Sequence, residues 1–368
     1  MPDSASPHNA TPPTAQRVAI ILFNLGGPDS PEAIRPFLLN LFRDPAILRV
    51  PSLVRPLLAR RIASARLAPA TANYALLGGK SPLLEETQQQ AKALEAALGE
   101  GSGSLVAKCF IAMRYWHPFS EEAVRAAKAW QPDRIVLLPL YPQYSTTTTG
   151  SSLTAWREAA AQVGLVVPTT VLCCYFGDDG YVRSIASRLA DAYEAARTTL
   201  PPEVKLRVLF SAHGLPEIIV QRGDPYQFQI EHTAEAVMQA WGAPDIDSIV
   251  CYQSRATPQK WLDPSTEAEI ERAAHDKVAL LVVPIAFVSE HSETLVELDV
   301  EYREMAERLG VPGYFRLPTP NADASFIAAM ARLVHETLAN GDGSCSYLGA
   351  RACPVNHVAC PLTWSNAA

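Results

Sequence analysis

The residues best suited to chemistry crowd into one stretch, 284–301 (PIAFVSEHSETLVELDVE). Glu293, Glu297 and Glu301 recur at every fourth position, and Glu290 and His291 stand at the head of the row. On a helix this spacing stacks the carboxylates on one face, where like charges oppose each other by about 0.2–0.5 kcal/mol per pair. One reading is a solvated acidic face, eased at its first turn by the helix dipole. The other is a track that attracts a divalent cation and hands it inward. The stretch alone leaves both open, so the ends of the other strands have to decide.

The run 278–288 (VALLVVPIAFV) is continuously apolar and too short to cross a membrane. It suits a strand buried on both faces of a parallel sheet. After it, Leu295, Leu298 and Tyr302 recur at helical spacing, and Gly310 offers a stop. The acid row therefore begins where a strand ends and a helix starts, which is where open α/β sheets bind ligands. The same rhythm runs through the chain. Strands are predicted over 18–25, 106–115, 134–141, 169–175, 206–212, 248–253 and 278–288. Helices are predicted over 31–41, 83–98, 120–130, 151–163, 178–197, 227–241, 265–274, 291–309 and 321–339. This βαβ alternation predicts parallel sheets with helices on both faces, arranged as two doubly wound domains. The expected boundary lies at Val167-Pro168, giving 17–167 and 168–320, with the helix over 321–340 packing back on the first domain. A disordered tail is expected over 1–16 and a cysteine-containing tail over 341–368.

Composition narrows the class. The 368 residues are 48% hydrophobic and 19% charged, as in a soluble globular protein. A net charge of −7 and a pI near 5.7 speak against non-specific nucleic-acid binding. The first sixteen residues are rich in Pro, Ser and Ala and carry no apolar core of a signal peptide, so a cytoplasmic location is expected. Seven cysteines there point to thiols or metal ligation, not to a disulfide framework. No G-x-G-x-x-G, Walker, G-x-S-x-G or H-E-x-x-H pattern supports a nucleotide or hydrolase reading.

The other strand ends carry polar and aromatic groups. The stretch 73–82 (NYALLGGKSP) opens a helix and offers backbone N–H groups to an anion, and the hydroxyl-rich 141–152 (YPQYSTTTTGSS) does the same. Arg114, beside Tyr115 and Trp116, suits a clamp for a flat anionic ligand. His213 ends a buried strand and is followed by a glycine that allows a sharp turn. Across 41–67, leucines, isoleucines and valines interleave with six arginines, and Pro45, Pro51 and Pro56 are expected to break any long helix. Two readings stand equal for that segment. It is a lip at a membrane interface or over an apolar ligand, or it is a helical hairpin whose arginines snorkel.

At these residues the chain resembles the ferrochelatases, the family that inserts Fe(II) into a porphyrin. The resemblance rests on 22–28 (LFNLGGP), 113–118 (MRYWHP), 141–145 (YPQYS) with 148–152 (TTGSS), 211–216 (SAHGLP), 252–254 (YQS) and 287–291 (FVSEH) through Glu293 and Glu297. It covers roughly 17–340 in order, and several motifs together are far more specific than one. It implies two Rossmann-like domains of the chelatase type with the active-site cleft between them. It implies His213 as metal ligand or acceptor of pyrrole protons, Glu293 as its metal-binding partner, and Glu290, His291, Glu297 and Glu301 as the acidic path behind. Arg114, Tyr74, Ser81 and Ser254 are implied as contacts on the propionate side, Leu25, Phe287 and Trp261 as contacts to the ring, and Tyr144 as a further porphyrin-binding residue. A tyrosine in place of Leu25 typifies the coproporphyrin-using branch, so its absence points to protoporphyrin IX. The implied partners are protoporphyrin IX and Fe(II), with a peripheral membrane contact through the lip and a monomeric or homodimeric assembly. A cobalt or nickel chelatase and a heme carrier are the competing readings. A carrier needs no acid row facing a histidine.

Cys345, Cys353 and Cys360 fall within sixteen residues of a glycine-loosened tail that shows no apolar periodicity. Thiolate ligation of zinc or a [2Fe–2S] cluster is the physical reading. The resemblance favours the cluster, because some ferrochelatases carry one on a C-terminal cysteine tail. Cys109, Cys173, Cys174, Cys251 and His357 are all open as the fourth ligand.

Overall fold

A computed structural model of the chain describes residues 15–99, 105–255 and 259–363. Most of the tail expected over 1–16 lies outside the described residues. The chain runs β1 (Gln16–Asn24), α1 (Ile34–Arg43), α2 (Arg55–Leu76), α3 (Leu83–Gly99), β2 (Leu105–Met113), α4 (Ser120–Trp130), β3 (Arg134–Pro139), α5 (Thr149–Val163), β4 (Thr169–Leu172) and α6 (Asp179–Thr199). It continues with β5 (Leu206–His213), α7 (Glu217–Gln221), α8 (Tyr226–Trp241), β6 (Ser248–Gln253), α9 (Thr266–Asp276), β7 (Ala279–Pro284), a π-helix (Glu293–Glu301), α10 (Tyr302–Leu309), β8 (Tyr314–Arg316), α11 (Ala324–Ala339) and β9 (Gly343–Cys345).

The strands form two parallel sheets, ordered β2-β1-β3-β4-β9 and β6-β5-β7-β8. In each, the first strand lies between the second and third, so the winding reverses beside β1 and beside β5. Ligands gather at the C-terminal ends of strands at such switch points. Alternation along β1 feeds both faces of its sheet. Val18, Ile20 and Leu22 join a core shared with α3, α6 and α11, while Ala19, Ile21 and Phe23 pack with Val124, Leu153 and Trp156 of α4 and α5. The shared core continues through Val208 and Phe210 of β5 into the second sheet. One apolar core therefore runs behind both strand ends that carry the site.

Four expectations are corrected. First, β4 pairs with β3, so the strand expected to open the second domain belongs to the first sheet; the chain passes to the second sheet between Leu172 and Leu206 and returns to the first with β9. Pro168 is a poor marker because it precedes a strand without interrupting one; its carbonyl accepts from Ile135 N at 2.9 Å. Second, 55–76 is one helix despite its prolines. Pro56 stands in the first turn, where its missing N–H would have no intrahelical partner, and only Pro69 lies inside. Third, the helix expected over 291–309 opens as a π-helix, a widening frequent at functional sites. Fourth, the tail is ordered where loosening was expected. β9 pairs with the edge of β4, the His357 ring lies 5.2 Å from that of Phe228 in α8, and Ala359 N donates to Gly223 O at 3.1 Å. Strands as short as β8 and β9 leave no periodic signal in the sequence.

Candidate active site

His213 closes β5, and the chain turns at once through Gly214. A Cβ at Gly214 would meet the Gln253 carbonyl at 2.7 Å, so only glycine lets the ends of β5 and β6 come this close. The Tyr226 hydroxyl donates to the His213 carbonyl at 3.0 Å and fixes the backbone from the other side. His213 Nδ1 then lies 2.8 Å from Glu293 Oε2, at the first residue of the π-helix. His291 Nδ1 is held by the Ser289 carbonyl at 3.1 Å, which leaves its Nε2 3.8 Å from the same Glu293 oxygen. Two imidazoles thus flank one carboxylate; these are residue types that bind Fe(II), here held in hydrogen-bond and not in ligand geometry. His213 and Glu293 remain 38% and 25% exposed at the side chain, so both are reachable.

Burial alone would lower the His213 pKa, but the Glu293 charge and hydrogen bond, with Glu297 behind, outweigh it and raise it. Burial pushes the Glu293 carboxyl up, yet His213 and His291 reverse this and hold it well below the usual carboxylate range. The pair is a charge-assisted contact that keeps Glu293 anionic.

The rest of the acid row divides. Glu297 lies one turn behind and accepts from Ser254 N at 2.9 Å, Gln253 Nε2 at 3.0 Å, the Tyr302 hydroxyl at 3.0 Å and the Ser254 hydroxyl. Burial and then the Glu293 charge still raise its pKa. Ser254, expected on the propionate side, therefore spends its hydroxyl on Glu297. Glu290, expected in the metal path, is instead locked by Arg316 Nη1 at 2.9 Å and Thr319 N at 2.8 Å, with the Thr294 hydroxyl as a third donor. These donors outweigh burial and lower its pKa. Glu301 is exposed and takes Asn73 Nδ2 at 3.2 Å.

That last contact comes from α2, which reaches from the first half of the chain to the π-helix. Tyr74 beside it is buried against Ser292 and Glu293. Burial pushes its phenol up to about 12, the Ser292 hydrogen bond pulls back, and the Glu293 charge adds to the rise. Leu25, just past the end of β1, packs against the cluster that holds Ile34, Phe37, Tyr74 and Tyr115, and the Phe287 ring stands 4.7 Å from the His291 ring. Trp261 is bridged to Pro216 beyond the His213 turn. Arg114 sits at the end of β2, where its guanidinium contacts Asp44 at 2.8 Å.

Two loops expected to take anions spend several of their donors within the protein. In 141–152, the Ser145 hydroxyl, Thr146 N and the Thr146 hydroxyl all donate to buried Asp224 Oδ2, at 3.1, 2.8 and 2.7 Å. In 73–82, Gly79 N caps α2 through the Tyr74 carbonyl, and Ser81 N donates to the Pro28 carbonyl at 2.8 Å. Ser81 is buried against Gly27. Tyr144 is buried among Cys173, Cys174, Cys353 and Cys360. Asp44, Asp224 and Ser292 were missed. Only Asp44 left a signal, as the Asp-Pro that stops α1.

That thiol cluster is a second candidate site. Cys173 and Cys174 follow β4, with their Sγ atoms 3.5 Å apart, and Cys353 and Cys360 come from the tail. Gln229 Nε2 donates to Cys353 Sγ at 3.0 Å. The hydrogen bond from Cys353 lowers the Cys360 pKa to about 6 against the opposing effect of burial, and Cys353 is raised in return. Cys345 turns toward the Val171 carbonyl at 3.6 Å. Cys109 lies in the groove between α3 and α4, and Cys251 packs in the core of the second sheet, so neither reaches the cluster. Among the described residues, no three His, Cys, Asp or Glu side chains form a group that would hold a single ion. A two-iron cluster asks instead for pairs of thiolates, and two pairs are present.

The ferrochelatase family model matches residues 17–338. The chain is 49% identical over 346 residues to a ferrochelatase of Caulobacter vibrioides (strain NA1000 / CB15N), covering 94% of this chain and 97% of that one. It is 48% identical over 345 residues to a ferrochelatase of Phenylobacterium zucineum, with the same coverage. Among solved structures, SirB from Bacillus subtilis with Fe3+ superposes with a TM-score of 0.52 at 13% identity, covering 88% of this chain and 96% of that chain. At that identity the likeness shows the fold alone.

Proposed function

The chain belongs to the ferrochelatase family and is a metal chelatase of heme synthesis, a lyase; within that activity we propose that it inserts Fe(II) into protoporphyrin IX with His213 and Glu293 as the reacting pair. The observation that carries this is the 2.8 Å contact between His213 Nδ1 and Glu293 Oε2, made between a strand end and a π-helix. Insertion must strip water from Fe(II) and remove two protons from pyrrole nitrogens. With Nδ1 committed to Glu293, His213 presents Nε2 to the porphyrin, and the carboxylate stabilises the imidazolium that forms when a proton arrives. Glu293 stays anionic throughout and is the ligand that receives Fe(II), with His291 beside it. Glu297 tunes that step from one turn behind. Ring contacts fall to Leu25 and Phe287, and a carboxylate of the macrocycle falls to Arg114. Leu25, where the coproporphyrin branch has tyrosine, supports protoporphyrin. The direct test is whether purified protein makes protoheme from Fe(II) and protoporphyrin IX, and whether coproporphyrin competes poorly.

We also propose a peripheral membrane contact. Leu53 is 94% exposed, Leu57 72% and Val54 50%, and they stand together before and within the first turn of α2. A poorly soluble porphyrin then enters from lipid past an apolar lip. Among the described residues, no helix is long and apolar enough to cross a membrane.

For the thiol cluster we propose Cys173, Cys174, Cys353 and Cys360 as the ligands of a [2Fe–2S] centre. Two pairs of sulfurs, one thiol of them already acidified, fit its donor chemistry. Such a centre would supply one-electron redox chemistry and a crosslink between the tail and the strand end after β4. It plays no part in the insertion steps assigned to His213 and Glu293.

A further inference from the structure

Arg114 does not meet the cleft as a lone cation. Its guanidinium lies 2.8 Å from Asp44 Oδ2, and its Nε donates to the Ser151 hydroxyl at 2.6 Å, which in turn donates to Asp44. The same Asp44 oxygen accepts from the Tyr115 hydroxyl at 2.8 Å. Asp44 Oδ1 takes Ala46 N at 2.8 Å, and the Asp44 carbonyl takes Ile47 N and Leu48 N. The Asp44 side chain is 2% exposed, whereas Arg114 keeps 24% of its own. A ligand can therefore reach the arginine but not the aspartate behind it, and the aspartate roots the lip.

We propose that Asp44 is a positioning and specificity residue for the carboxylate of the porphyrin. This rests on the reading of Arg114 as the propionate contact. Asp44 fixes the guanidinium at the end of β2 and cancels its charge. A second carboxylate approaching Arg114 meets the field of Asp44 as well, and in a partly buried site that field is weakly screened. The macrocycle is then held by directed hydrogen bonds with little net Coulomb attraction. That suits an enzyme whose product carries the same carboxylates as its substrate and has to leave.

The test compares binding of protoporphyrin IX and its dimethyl ester, followed by porphyrin fluorescence, to the wild type, Asp44→Asn and Arg114→Gln. Asp44→Asn should bind the diacid about fivefold more tightly, the low end of coupling between two binding events, and leave the diester unchanged. Its diacid affinity should also fall more steeply with added salt. A purely structural role would weaken both ligands together. If Arg114→Gln lowers the diacid-to-diester ratio while Asp44→Asn leaves it at the wild-type value, the inference is overturned. If Arg114→Gln leaves the ratio untouched, the propionate reading of Arg114 fails and the inference falls with it. Should Asp44→Asn not fold, the wild type decides. A ratio that changes little between about 0.05 and 0.5 M salt supports a neutralised clamp, and a collapse of more than about tenfold overturns it.

Discussion

His213 Nδ1 and Glu293 Oε2 stand 2.8 Å apart although 80 residues separate them in sequence. β5 delivers one and the π-helix the other, and each alters the proton affinity of its partner in the direction that metalation uses. The histidine becomes a better base and the carboxylate a firmer anion.

The first expectation concerns pH. His213 accepts protons only when neutral, so insertion should fall as pH drops below its raised pKa. In Glu293→Gln the main cause of that rise is gone, so any residual activity should persist to lower pH. The pair's stabilisation has the opposite limits. The histidine part is full below about 6.5 and is lost as pH rises through the folded value; the carboxylate part is present above about 4.3 and is lost as pH falls. Thermal melting of the wild type and Glu293→Gln should therefore differ most between those limits. A pH–rate profile whose acid limb does not move in the variant contradicts the assignment.

Glu297→Gln should raise the apparent KM for Fe(II) several-fold with a smaller effect on kcat. Its carboxylate neighbours Glu293 but is satisfied by Ser254, Gln253 and Tyr302. Steady-state kinetics with Fe(II) varied at fixed porphyrin distinguish the two. A fall in kcat with KM unchanged would move Glu297 into the reacting set.

Much of this site was legible in the sequence. The βαβ rhythm placed His213 and the acid row at strand ends, because apolar runs and their termini are local signals. What escaped depends on partners distant in sequence. Nothing near Glu290 announces that Arg316 will hold it, and nothing in the hydroxyl-rich loop announces buried Asp224. A π-helix of nine residues is too short for its wider repeat to stand out from an α-helical pattern, so the sequence over 291–309 did not separate them. The fourth thiol position stayed open for the same reason. Cys173 and Cys174 meet the tail only because β9 adds to the edge of β4.

Cys353→Ser and Cys173→Ser should each abolish visible absorption from a [2Fe–2S] centre, while Cys109→Ser and Cys251→Ser should keep it. Anaerobic reconstitution with iron and sulfide, read by absorption and electron paramagnetic resonance of the reduced protein, makes the comparison. Wild-type protein that stays colourless after reconstitution and binds zinc instead would assign the thiols to a single ion.

Replacing Leu53, Val54 and Leu57 together by serine should reduce sedimentation with liposomes and slow porphyrin uptake from them. Turnover on detergent-dispersed substrate should change little. The three side chains are exposed, so folding stability should move by no more than about 0.5 kcal/mol per site. Liposome association equal to the wild type would remove the membrane role from the lip.

The central claim is tested most directly by separating binding from insertion in His213→Ala. The account predicts that the variant quenches protoporphyrin fluorescence with near wild-type affinity, since ring and carboxylate contacts are intact, while Fe(II) insertion falls by at least about a hundredfold for loss of a general base. Insertion within a few-fold of the wild type at matched porphyrin occupancy would contradict it.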